Sequence, residues 1–258
     1  EPTAQDFGTA LTLTATATSN LAVSFSSTTT AVCTITAEGE LAFVSAGTCT
    51  ITANQAGNGN WNAATPVSHS FTVNAIAPTA PAIGTATAGN GNATVTFGEP
   101  ASTGGSAITA YTVTSNPGNV SVTGTGSPLV VEGLTNGVTY TFTVTATNVA
   151  GVGAASNASN EVTPAGPQSI SFPVIPTQNF GTSLDLAGHG ITAGSGLTVT
   201  LSSATPSVCT LESGTVLVYV ATGSCTINAN QAGNNEFLPA AEVGRTFSVV
   251  PVVPGAPG

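Results

Sequence analysis

Four cysteines, Cys33, Cys49, Cys209 and Cys225, are the residues of this sequence best spaced for chemistry, and the chemistry they suggest is oxidative pairing. Fifteen residues lie between Cys33 and Cys49, and fifteen between Cys209 and Cys225. Glu38-Gly39 and Ser213-Gly214 fall inside these intervals and read as hairpin turns. The strands carrying the two thiols can therefore lie close enough to bridge. Closing a loop of about 15 residues contributes about 3 kcal/mol in the chain-entropy picture. Metal ligation is a competing use of paired cysteines. The sequence has no Cys-x-x-Cys, and His69 and His189 are single and scattered, which argues against zinc. Two buried free thiols per domain are the remaining alternative. Bridges imply an oxidising compartment.

The other reactive side chains do not assemble. Asp6 and Asp185 are the two aspartates and lie far apart, so no Asp-rich calcium loop exists. Glu38 and Glu40, two residues apart on a turn, read as a solvated hairpin tip rather than an acid/base pair. His69 aligns with Arg245 in a repeat described below, which suggests a rim position that accepts a cation-capable side chain. His189 falls in a three-residue insertion and is expected to be exposed. Neither histidine stands with a nucleophile and an aspartate in a recognisable order. The sequence thus predicts no enzyme, no catalytic residue, no cofactor and no metal. Trp61 and Phe237 occupy matching places after Asn-Gln-Ala-Gly-Asn. An aromatic in a polar loop can stack on a sugar ring, but a Trp/Phe exchange at one position favours packing at the end of a core.

Composition limits the partners. The chain has 258 residues, one Arg, no Lys and eleven acidic residues, for a net charge of −10. So few cations cannot neutralise phosphates, which excludes nucleic acid, and they form no patch for an anionic membrane surface. Only 5% of residues are charged, but 41% are apolar and alternate with Thr and Ser, as half-buried strands do. No helical period is present. No run approaches the ~20 apolar residues that span a bilayer, so no membrane insertion is expected in this segment. No signal peptide is recognisable. Glu1 reads as falling inside a domain, as in a processed form or an excerpt.

An internal repeat organises these residues. Asp-Phe-Gly-Thr at 6–9 returns as Asn-Phe-Gly-Thr at 179–182, and Val-Cys-Thr at 32–34 returns at 208–210. Thr-Cys-Thr-Ile-Thr-Ala-Asn-Gln-Ala-Gly-Asn at 48–58 returns as Ser-Cys-Thr-Ile-Asn-Ala-Asn-Gln-Ala-Gly-Asn at 224–234. The offset is 173 residues at first and 176 after the insertion near His189. These motifs resemble the Ig-like tandem repeats of large bacterial surface proteins. The resemblance covers residues 1–76 and 166–252 and implies two immunoglobulin-like sandwiches.

Between the copies, residues 77–165 differ. Pro-rich stretches at 77–81 and 163–167 bound them and read as stiff linkers. Ala93–Phe97 and Thr109–Ser115 read as strands. The run from Gly133 to Asn148 resembles fibronectin type III, in which a Leu and a turn precede alternating core residues. The resemblance implies a tyrosine corner at Tyr140, with Tyr140, Phe142, Val144 and Ala146 facing the core. It departs in lacking an early-strand Trp, whose volume Phe97 is expected to fill.

The expected architecture is all-β: three tandem sandwiches in an extended row, over 1–76, 77–165 and 166–252, with a Pro/Gly tail at 253–258. The third domain opens with Gln168-Ser169-Ile170-Ser171-Phe172-Pro173, an alternating segment with no counterpart in the first, which therefore lacks a first strand. The expected function is a structural or adhesive segment of a bacterial extracellular or cell-surface protein: stalk, spacer or filament subunit. The alternative is a glycan-binding accessory module of a secreted carbohydrate-active enzyme or adhesin, resting on Trp61 and Phe237. Expected partners are neighbouring domains of the same or identical chains, including head-to-tail assembly through the tail, and a surface glycan or protein.

Overall fold

A computed structural model describes residues 2–252, so the 253–258 tail lies outside the described residues. The chain divides into two compact units. The first comprises the chain through Thr87 with Thr94–Glu132 and Tyr140–Glu161; the second comprises Ala88–Ala93, Gly133–Thr139 and the chain from Val162 onward. Strands dominate both, and the described helical structure is a single short 3-10 turn.

The first unit begins with seven strands: β1 (Gln5–Asp6), β2 (Leu11–Thr12), β3 (Ser24–Ser27), β4 (Cys33–Ile35), β5 (Glu40–Phe43), β6 (Gly47–Asn54) and β7 (Val67–Asn74). They form two sheets in the orders β1-β7-β6-β3 and β2-β5-β4. Side chains alternate across a strand, so β6 and β7 turn Cys49, Ile51, Phe71 and Val73 inward and Thr50, Thr52, Ser68 and Ser70 outward. The outward hydroxyls pair across the strands, Thr50 with Ser70 at 2.8 Å and Thr52 with Ser68 at 2.7 Å. Cys33 and Leu41 complete the buried core from the other sheet.

The same unit holds most of the strand residues of the middle domain: β8 (Pro81–Ala88), β9 (Asn92–Pro100), β10 (Ala110–Asn116), β11 (Ser121–Gly124), β12 (Leu129–Glu132), β13 (Thr141–Asn148) and β14 (Gly151–Val152). Their sheets run β11-β10-β13-β14 and β12-β9-β8. On β13, Phe142, Val144 and Ala146 are fully buried, and Tyr140, one residue before it, is buried as well. The Tyr140 ring stacks near Phe142, with centroids 6.5 Å apart. Phe97 is buried with its ring centroid 5.0 Å from that of Tyr111.

The second unit contains β15 (Ile170–Ser171), β16 (Gln178–Asn179), β17 (Ser183–Asp185), β18 (Thr192–Ala193), β19 (Thr200–Ser203), β20 (Cys209–Glu212), β21 (Val216–Tyr219), β22 (Gly223–Asn230) and β23 (Val243–Val250). Its main sheets, β16-β23-β22-β19 and β17-β21-β20, repeat the orders of the first sandwich. The register repeats too. Gln5 pairs with Val73 in parallel as Gln178 does with Val249, and Cys49 faces Phe71 as Cys225 faces Phe247. Two strands have no match. β15 pairs antiparallel with β18, whereas Thr16-Ala17, which align with β18, form no strand.

Candidate functional site

The four cysteines form two disulfides, Cys33–Cys49 and Cys209–Cys225, with Cα atoms 5.7 and 5.8 Å apart. Their placement corrects the hairpin argument. The turn at Glu38-Gly39 pairs β4 with β5, not with the strand that carries Cys49. Cys49 lies on β6 in the opposite sheet, so the bridge crosses the sandwich and ties sheet to sheet; Cys209 on β20 and Cys225 on β22 repeat this. All four cysteines are fully buried. Around each bridge a Ser and a Thr hydroxyl approach sulfur: Ser27 and Thr29 at Cys33, Ser203 and Thr205 at Cys209.

The linkers are bonded into their surroundings. Within the first unit, the Ile76 N–H donates to the Gly104 carbonyl at 2.9 Å and the Ala46 N–H to the Gly105 carbonyl at 2.8 Å. The Asn148 side-chain amide, itself buried, donates to the Ile76 carbonyl at 2.7 Å and the Thr103 carbonyl at 2.8 Å. Gly104 and Gly105 have φ of +73° and +82°, the left-handed region where a Cβ is costly. A Cβ on Gly105 would also stand 2.6 Å from Cγ of Phe7. Within the second unit, the Gly166 N–H donates to the Glu236 carbonyl at 2.7 Å, and the Leu238 N–H donates back to the Gly166 carbonyl at 2.8 Å.

The two aromatics of the repeat sit differently. Phe237 is half-buried and bridges to Gly166. Trp61 is 54% exposed, so it does not close a core as the packing argument expects. It lines a groove of about 800 Å³ in the first sandwich, whose walls include Leu13, Ala17, Phe25, Ala53, Gln55 and Val67. His69 lies on the same wall and is exposed, while Arg245 is half-buried and donates from Nε to the Phe172 carbonyl at 2.7 Å.

His189 is half-buried rather than exposed. The insertion forms the 3-10 turn Leu186–Gly188, capped by Asp185, whose Oδ1 accepts from the Ala187 N–H at 2.9 Å. Leu186 is buried in the core, and the His189 N–H bonds back to its carbonyl at 3.1 Å, which holds the histidine against the surface. Composition and spacing alone miss one buried group: the Tyr219 hydroxyl is buried and has no hydrogen-bond partner among the described residues. Burial pushes its pKa above the ordinary value. Its match in the first sandwich is Phe43, and that difference in the alignment is the signal that could have found it.

No helix among the described residues is long and apolar enough to cross a membrane. No curated protein matches the chain. Among solved structures, the twitchin kinase region of C. elegans is similar at 21% identity and a TM-score of 0.32, over 37% of this chain and 20% of that one. A titin domain segment is similar at 18% identity and a TM-score of 0.34, over 55% and 53%. The FN1–FN3 domains of chicken CNTN1 give 12% identity and a TM-score of 0.36, over 94% and 95%. The chain thus spans about a fifth of the twitchin structure and about half of the titin one. Residues 77–162, a third of the chain, match the fibronectin type III domain family.

Proposed function

We propose that the chain is a non-enzymatic structural or adhesive segment, a stalk, spacer or filament subunit, of a bacterial extracellular or cell-surface protein. The observation that carries this reading is the cross-sandwich disulfide repeated in the first and last sandwiches. A bridge between two sheets keeps them from parting, which is what a domain that holds distance under load requires. It also needs an oxidising compartment to form and persist. The bonded linkers add to this, because Ile76 and Gly166 are held by backbone hydrogen bonds rather than left as free joints. The bacterial surface assignment rests on the wording of the repeat itself.

The glycan-binding alternative has one observation in its favour, the exposure of Trp61. A glycan array probed with the full chain distinguishes the two. The structural reading expects no saturable binding. Saturable binding to a defined glycan, lost in Trp61→Ala, would replace it with the accessory-module reading.

A further inference from the structure

The two copies of the repeated sandwich differ in one respect that bears on what they bind. In the third domain the segment Gln168–Phe172 lies along the sandwich and fills a seat. Ile170 and Phe172 are 8% and 3% exposed and belong to the core cluster, while Ser169 and Ser171 point to solvent. The segment pairs with β18, and the Gly194 N–H donates to the Ser169 carbonyl at 2.8 Å. Gln168 fixes the register. Its amide N–H donates to the Leu238 carbonyl at 2.9 Å and to Oε1 of Gln231, and its own carbonyl oxygen accepts from the Ser195 hydroxyl. Arg245 holds the far end through the Phe172 carbonyl.

The first sandwich retains the residues of that seat. Gln231 corresponds to Gln55, Ser195 to Ser19, Arg245 to His69, Ala229 to Ala53 and Leu186 to Leu13. All five line the groove of about 800 Å³. Gln55 is as buried as Gln231, at 8% against 9%, and stands on the groove wall. The apolar matches are more open. Leu186, Ala193 and Ala229 are buried, whereas Leu13, Ala17 and Ala53 are only partly so, and Val67 is 55% exposed where Val243 is half-buried. The Thr16-Ala17 backbone forms no strand pairing where Thr192-Ala193 does.

We infer that the groove of the first sandwich is the seat of an extended peptide strand of the pattern Gln-x-Ile-x-Phe, entering from the residue-2 end and laid antiparallel to Thr16-Ala17. The Gln would meet Gln55 and Ser19, the Ile and Phe would cover Leu13, Phe25 and Ala53, and His69 would face the last carbonyl. The entry direction follows from the third domain, where Pro173–Thr177 lead directly from the seated strand into β16. Main-chain pairing supplies affinity in such strand addition, and pockets for alternate side chains supply specificity. The pattern also excludes the C-terminal tail as occupant. Val250-Pro251-Val252-Val253-Pro254 has neither the Gln nor the aromatic, and its prolines remove ladder donors.

Trp61 is the chain's one tryptophan and lies on the groove, so its emission reports occupancy. The probe is the end-blocked peptide Gln-Ser-Ile-Ser-Phe-Pro titrated into the full chain. A saturable blue shift of Trp61 emission is expected. The same peptide carrying Phe172→Ser should bind about tenfold to a hundredfold more weakly, because an aromatic side chain is no longer buried. A second chain carries the six residues fused directly before Glu1. Its Trp61 emission should be blue-shifted from the start, and it should no longer respond to the peptide. No emission change with either the peptide or the fusion would overturn the proposal. Equal binding of the Phe172→Ser peptide would overturn the pattern. A blue shift that appears with chain concentration alone, with dimers in sedimentation, would assign the seat to a second copy and overturn entry from the residue-2 end.

Discussion

Tyr219 carries a buried hydroxyl with no partner among the described residues. Its ring packs edge-on against Phe247, with centroids 6.3 Å apart, and Phe43 packs in the same way on Phe71 at 6.2 Å. The first sandwich therefore shows that the ring fits this place without its oxygen. An unpaired buried hydroxyl costs roughly 1–3 kcal/mol. Tyr219→Phe is expected to stabilise the third sandwich by about 1 kcal/mol, read as a higher denaturation midpoint with an unchanged slope. The same burial raises the phenol above its ordinary pKa of 10.0. The unfolded chain then loses this proton at a lower pH than the folded one. The contribution is intact below pH 10 and is lost as pH rises from there toward the raised folded value. Stability curves of the parent and Tyr219→Phe should diverge above pH 10 and run parallel below it; parallel curves throughout would contradict this account.

At the scale of elements, the disulfide matters because of the sheets it joins. Cys33→Ser is expected to destabilise the first sandwich by about 3 kcal/mol in the chain-entropy picture and to leave the unfolding of the middle sandwich unchanged. Differential scanning calorimetry that separates the transitions would check both parts. Much of this level was legible in the sequence. The repeat of Val-Cys-Thr and Asn-Gln-Ala-Gly-Asn reflects strands with matching orders and registers, and the alternation over Tyr140, Phe142, Val144 and Ala146 reflects a buried face. Local spacing could not say which sheet each cysteine joins, because that depends on how β4 and β6 cross the core. It also could not place Trp61, whose exposure depends on whether a strand from elsewhere lies over it. The burial of His189 is hidden from the sequence for a related reason, since Leu186 draws its turn against the core. Gln168-Ser169-Ile170-Ser171-Phe172 was readable as a strand, but the amide cluster of Gln168, Gln231 and Ser195 joins residues far apart in sequence.

At the scale of the whole molecule, the glycine pair at 104–105 and the two bridges have consequences that exchange and stretching can read. Gly104→Ala is expected to cost about 1–2 kcal/mol for the left-handed backbone alone and to speed hydrogen exchange at the Ile76 amide, which bonds the Gly104 carbonyl. Unchanged exchange there would mean that the junction does not depend on this glycine. Under single-molecule stretching, each bridge hides the 16-residue separation of its cysteines. Reduction should therefore lengthen the unfolding step of each outer sandwich by about 50–60 Å, at roughly 3.3–3.6 Å per residue, and leave the middle one alone. The lone Arg245 has a consequence of another kind. A protease that cuts after basic residues finds one candidate bond in these 258 residues, on paired strand β23, with the side chain bonded to Phe172. The folded chain should pass through trypsin intact, and a single nick would record that the last sandwich had opened.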